Sequence, residues 1–298
     1  MFGRRQVGDL TTHKMRLAAL LLAAGTLLST GCSAIKLGYE TLPTWAFFQI
    51  DRYWKLDSTQ SELAKARLDE FQRWHRHAEL PQYVRLLGGV RDRVRAPIEA
   101  ADVQRWRTEA DAHWRTMAQR AAAPLAEVAL TLRPDQIDRM KKRVAEQNVE
   151  HRKKILPADL KERQDRRIER VEERAEFFLG RLTAEQRELV RHHAGSMATD
   201  DDALYAERLA RQQAMVSTIE RIATTHPPRE EAARQLEAVL AQLWKPRDAQ
   251  RAAAQEHSAA ATDQLTALLV NSASPAQRTR IGQRLSGWMS DFEILAAK

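Results

Sequence analysis

The run VQRWRTEADAHWRTMAQRAAAPLAEVALTL, residues 103–132, decides the fold class. Val103, Trp106, Ala110, Trp114, Met117, Ala121, Leu125, Val128 and Leu132 recur in it at spacings of three and four. That spacing lines side chains along one face of an α-helix, whereas a half-buried strand needs alternation at every second residue. The stripe is expected to be core, which makes Trp114 a packed residue on this reading.

Working outward, the same period continues. Leu160, Ile168, Val171, Ala175, Phe178 and Leu182 draw a thinner stripe that Gln164 interrupts. Leu209, Met215, Val216, Ile219 and Ile222 draw another, and Leu236, Val239, Leu240 and Leu243 a further one. Pro81, Pro157, Pro227, Pro228 and Pro246 punctuate these segments, as expected of a residue that lacks an amide donor. Ala, Leu, Arg, Gln and Glu are abundant, against 11 Gly and 10 Pro, and they lose little rotamer freedom in a helix. Runs of alternating Val, Ile and Thr are missing. No Gly-rich or Ser-rich linker divides the chain, so the expectation is all-α, a single elongated multi-helix bundle over residues 45–298.

The N-terminal end reads differently. Met15 and Arg16 open a short basic segment, and Leu17 to Leu28 form an apolar run of 12 residues. A spanning helix needs about 20, so this run suits a signal-peptide core instead. Small residues follow as Ser29, Thr30 and Gly31, and then comes Cys32, the one cysteine of the chain. A lone thiol in an exported protein forms no internal disulfide and is consistent with a thiol consumed by modification. Arg4 and Arg5 do not make a twin-arginine signal, because Gln6, Val7 and Gly8 do not continue it. Met15 offers an alternative start. The formal charge of +8 falls to +5 once residues 1–31 are removed.

Residues 28–32 resemble the lipobox of bacterial prolipoproteins, in which the cysteine is acylated and the chain is then cut before it. The sequence departs from that pattern at Ser29, where a large aliphatic residue is preferred and Leu28 stands one place further away. The resemblance implies a signal peptide at 1–31, a lipidated Cys32 with a tether to residue 44, and a membrane as partner through several acyl chains. Ser33 in place of Asp implies the periplasmic face of the outer membrane. Residues 32–39, the aromatic stretch from Trp45 to Trp54 and the overall length also resemble a family of uncharacterised proteobacterial lipoproteins. That aromatic stretch has two readings, a helix packed into the core, which is favoured, or one lying in the lipid interface.

A second pattern recurs at helix starts. Asp57 with Gln60, Thr183 with Gln186 and Ser274 with Gln277 have capping-box spacing, and Arg133 with Gln136 is a degenerate copy, since Arg cannot cap as Thr would. These copies resemble the Leu-Thr-x-x-Gln motif of Spy/CpxP-type periplasmic proteins, all-α proteins of which some bind unfolded clients on a concave, basic and apolar surface. Well-capped helices also converge on this spacing for physical reasons.

Chemistry-bearing constellations are sparse. His75 and His77 lie two apart and diverge on a helix, as do His192 and His193, and no histidine pair has the four-residue spacing that chelates from one face. No metal or cofactor is expected. Neither a Gly-x-Ser-x-Gly elbow nor a phosphate-binding glycine loop occurs. Paired acids such as Glu172 and Glu173 fit exposed ion pairs, and Asp200, Asp201 and Asp202 fit a helix N-terminus. No catalytic residue is expected.

The densest charge runs from Arg139 to Arg170, with twelve basic and six acidic residues. Lys141, Lys142, Arg143, Arg152, Lys153 and Lys154 are its clusters, and they are expected to form a binding surface for an envelope protein or an anionic envelope surface. The alternative is a solvated helix face. Nucleic acid is not an expected partner outside the cytoplasm. The sequence therefore points to a non-enzymatic interaction or scaffold protein of the envelope, with a Spy-like chaperone as the alternative.

Overall fold

The computed structural model describes residues 34–155, 159–196, 201–243 and 248–298, and every regular element among them is an α-helix. In chain order these are α1 (Ala34–Trp54), α2 (Ser58–Ala78), α3 (Leu80–Arg93), α4 (Ala100–Ala129), α5 (Pro134–Ile155), α6 (Leu160–Leu179), α7 (Ala184–Ser196), α8 (Asp201–Thr225), α9 (Arg229–Ala241), α10 (Ala249–Asn271) and α11 (Pro275–Ala296). Pro81, Pro227 and Pro228 lie at helix boundaries as their chemistry requires, while Pro157 and Pro246 lie outside the described residues. The chain divides into two units, residues 1–41 and 42–298. In the first, the Thr41 hydroxyl donates to the Leu37 carbonyl at 3.0 Å, and helix already occupies residues expected as tether.

The second unit, a multi-helix bundle, holds two apolar cores. One gathers Trp54, Ala126, Ala129, Leu132, Met140, Ile222 and Leu236 from α1, α4, α5, α8, α9 and the α4–α5 turn. The other gathers Ile98, Leu179, Leu182, Val190, Leu265, Ile281 and Leu285, mainly from α6, α7, α10 and α11. The long α4 serves both. Val103 and Trp106 in its first turns pack against the second core, and Leu125 and Val128 in its last turns join the first. Between them the inward positions change, and Trp114 is 56% exposed, contrary to the stripe reading. His113 and Met117 turn towards neighbouring helices there instead. Leu160, at the head of its own stripe, is also exposed, since it opens α6 ahead of the first turn that packs.

The four glutamine boxes each start a helix, and they meet in two pairs. Gln60 Nε2 donates to Gln136 Oε1 at 3.1 Å, and Gln136 Nε2 donates back to Gln60 Oε1 at 2.7 Å. Each Nε2 also donates to a carbonyl two residues ahead of the partner's cap, Thr131 at 2.6 Å and Lys55 at 3.2 Å. Gln186 and Gln277 repeat the arrangement, with 3.0 Å in both directions and further bonds to the Ser272 and Arg181 carbonyls at 3.4 and 3.2 Å. Every Oε1 additionally accepts the amide of its own cap residue, at 2.9 to 3.1 Å. All four side chains are buried. Burying a primary amide is costly unless its donors and acceptors are matched, and here the two members of a pair match each other. Arg133, which cannot cap, instead reaches Asp57 of the partner box at 2.6 Å. The Gln60 amide and then Arg133 hold the Asp57 carboxyl below the usual carboxylate range.

Candidate functional site

The first pair sets the head of α5, and α5 carries the expected cations. This helix runs antiparallel to α8, because Lys141 pairs with Glu220 near one end and the Asn148 carbonyl accepts from Tyr205 Oη at 3.0 Å further along. Its inner side is occupied by packing. Trp54 Nε1 donates to Met140 Sδ at 3.1 Å, Tyr53 donates to Gln147, and the His151 ring stacks on Tyr205 with centroids 6.2 Å apart. Burial, and then the nearby Arg208, push His151 below the ordinary imidazole range.

The outer side of α5 is basic. Arg139, Lys142, Arg152 and Lys153 are exposed, and none of them pairs with an acid among the described residues. Lys141 is engaged with Glu220 at 2.5 Å and Arg143 with Glu146 at 3.1 Å. Lys154 falls on α5, but its side chain lies outside the described part, as does Cys32 altogether. On α6 four of the six cations have acidic partners: Lys161 with Asp165, Arg163 with Asp202, Arg166 with Glu162 and Arg167 with Asp201. Arg170 and Arg174 are exposed without one among the described residues. Asp201 and Asp202 thus open α8, as expected of acids at a helix N-terminus, and also offset part of the charge of α6. The uncommitted charge of the whole stretch is therefore concentrated on α5. A cleft of about 390 Å³ lies beside the head of this helix, lined by Leu132, Ile137, Asp138, Glu220, Ala223 and His226 among others. The exposed cations Lys142, Arg152 and Lys153 lie further along α5 than this cleft, and exposed, hydrated cations suit recognition of carboxylates or phosphates as point charges.

A second polar grouping went unread in the sequence. Glu79, at the α2–α3 junction, is buried and lies 2.8 Å from His113 Nδ1 on α4. Tyr83 Oη lies 3.3 Å from His75 Nε2 and donates to Met117 Sδ at 3.5 Å, and its ring stands edge-on to His113. His77, as its spacing implied, turns away and is exposed. Burial lowers the His75 pKa to about 4. Carboxylate and imidazole here orient each other, and the grouping ties α2, α3 and α4 together. The signal available beforehand was only a Glu before Leu80 and Pro81, which reads as a helix boundary. Other buried acids are held by arginines: Asp263 by Arg107 at 3.0 Å, and Asp102 by Arg93 at 2.8 Å. The Glu99 amide, and then Arg93 and Arg105, keep the Asp102 carboxyl below its usual range. Among the described residues no group of His, Cys, Asp and Glu is placed to hold a metal ion, and no helix is long and apolar enough to cross a membrane.

Residues 52–250 match the model of a family of unknown function (DUF6279). The match takes in three of the four glutamine boxes and ends before the fourth, although that box completes the second pair. No match was found among curated proteins or solved structures.

Proposed function

We propose that this chain, which belongs to the family of unknown function DUF6279, is a lipoprotein anchored through Cys32 to the periplasmic face of the outer membrane. Its helical body works there as a non-enzymatic scaffold that docks an acidic component of the envelope. The observation that carries this reading is the row Lys142, Arg152 and Lys153 on α5, exposed and without acidic partners among the described residues, where most cations of α6 are paired with acids of α6 or α8. The cleft at the head of the same helix offers a partner's side chain a place between Leu132 and Ala223. Buried acids that serve as arginine and histidine partners support a structural rather than a catalytic use of this chemistry.

Two substitutions test it. Cys32→Ala should abolish acyl labelling and leave uncleaved precursor in the membrane fraction, and unchanged labelling would remove the anchor. Reversing Lys142, Arg152 and Lys153 to Glu should keep the helical circular dichroism and weaken capture of envelope partners, more so as salt shortens the screening length. Lys141 is left in place because it bonds Glu220. Identical partners at identical salt would reduce the row to a solvated face. The second reading, a Spy-type chaperone for unfolded clients, rests on the resemblance of the glutamine boxes to that family's motif.

A further inference from the structure

We infer that the outward edge of α1, formed by Leu42, Trp45 and Phe48, is seated in the headgroup region of the phospholipid bilayer, holding the bundle against the membrane beside the acyl anchor. The inference rests on the lipoprotein reading for its location and on the structure for its chemistry. From residue 42 onward, α1 is apolar on two sides. Phe47, Ile50, Tyr53 and Trp54 face the first core. On the other side Leu42 is 46%, Trp45 58% and Phe48 59% exposed, with Thr44 and Arg52 interleaved at helical spacing. A helix apolar on both sides is one with partners on both sides, and only one of them is supplied by the bundle.

The character of this edge selects the bilayer. Phe48 follows Cys32 by sixteen residues, so an acylated Cys32 leaves the edge within reach of the membrane surface. Tryptophan concentrates where an amphipathic ring meets headgroups, and Arg52 and Lys55, both exposed, complement anionic phospholipid. Of the two carboxylates on α1, Asp51 is half-buried and accepts the Leu56 amide at 2.9 Å, and Glu40, exposed ahead of Leu42, has the Lys36 cation one turn before it in the helix. An edge of three apolar side chains among Thr and Arg rests at the interface and does not span it.

The test uses the full chain with Trp45→Cys or Phe48→Cys, and with Trp114→Cys or Leu204→Cys as exposed positions elsewhere. An acylated Cys32 leaves each introduced thiol as the sole site for a nitroxide label. The proteins are purified from membranes into vesicles of phosphatidylethanolamine and phosphatidylglycerol. Acylation is scored by mass on the same samples, and helix content is checked by circular dichroism. Labels at 45 and 48 should be relaxed by oxygen in preference to a water-soluble nickel chelate, with a ratio severalfold above that at 114 and 204. Water-like behaviour at 45 and 48 in an acylated protein overturns the inference while leaving the anchor standing. Shielding from both relaxants also overturns it, since a second copy or a bound client then covers the edge. Should Cys32 carry no acyl chain, the lipoprotein reading fails, and the same labels placed in a Cys32→Ser background, read on vesicle-bound protein, decide for or against the edge.

Discussion

Replacing Gln136 by Ala measures what the glutamine pairs contribute. Gln136 is 1% exposed and makes four hydrogen bonds: two with Gln60, one to the Lys55 carbonyl and one from the Arg133 amide. Gln60 keeps its bonds to the Thr131 carbonyl and from the Asp57 amide, so the groups orphaned by truncation are the Lys55 carbonyl and the Arg133 amide. An unsatisfied buried group costs about 1–3 kcal/mol, which puts Gln136→Ala at a loss of about 2–5 kcal/mol. The assay is urea unfolding of the chain from Ser33 onward, followed by helical circular dichroism. Combining Gln136→Ala with Gln60→Ala should cost less than the sum of the singles by about 1–3 kcal/mol, because both remove the same reciprocal bonds. Combining it with Gln186→Ala, which shares no partner, should be additive within about 0.5 kcal/mol. A single-mutant loss below about 1 kcal/mol, or additivity within a pair, refutes the reasoning.

Three further outcomes follow from the same structure. Trp54→Ala should cost about 3–5 kcal/mol, because Trp54 is buried against Met140, whereas Trp114→Ala should stay within about 0.5 kcal/mol of the parent in the same unfolding assay. Burial holds His75 near pKa 4 in the folded chain against 6.5 when unfolded, so the unfolded state binds the proton first as pH falls. The stabilisation is full above pH 6.5 and is lost towards pH 4. With allowance for partial exposure it is on the order of 2 kcal/mol, and His75→Phe should flatten the acid limb of the stability profile. Gly180 caps α6 at φ +79 with the Arg280 side chain 3.3 Å from where a Cβ would stand, so Gly180→Ala should cost about 1–3 kcal/mol by thermal or urea unfolding.

The features legible in the sequence were those set by neighbours along the chain. Asp57, Thr183 and Ser274 announce their helices, and the period of three and four gives the all-α class, because caps and amphipathicity are local. What each box does with the far side of its glutamine was not legible, since the partner stands 76 or 91 residues away. Trp114 shows the same limit inside one helix. A stripe says which residues share a face, but α4 changes the core it serves partway along, and that change depends on helices elsewhere in the chain. The candidate surface was partly legible. Lys161 with Asp165 and Arg166 with Glu162 stand four apart and could be read locally, whereas the pairing of Arg163 and Arg167 depends on Asp202 and Asp201 arriving from α8. The aromatic stretch of α1 read as either core or lipid interface, with core favoured, and the structure divides it, Phe47, Tyr53 and Trp54 facing the core and Trp45 and Phe48 exposed. Apolar residues on both sides of a helix read as deep burial when no neighbour is known.

The glutamine pairs also bear on how chain length is distributed. Each pair closes a loop, of 76 residues in one case and 91 in the other. Closure entropy grows only with the logarithm of length, so doubling the enclosed segment adds about 0.6 kcal/mol, less than one well-made hydrogen bond of the pair contributes. Lengthening the exposed connection around Arg95 and Ala96, between α3 and α4, therefore leaves the first closure nearly as favourable as before. Exposed connections such as this one, within the spans between the boxes, are where residues can be added at little thermodynamic cost, and the boxes are the fixed points from which those spans are hung.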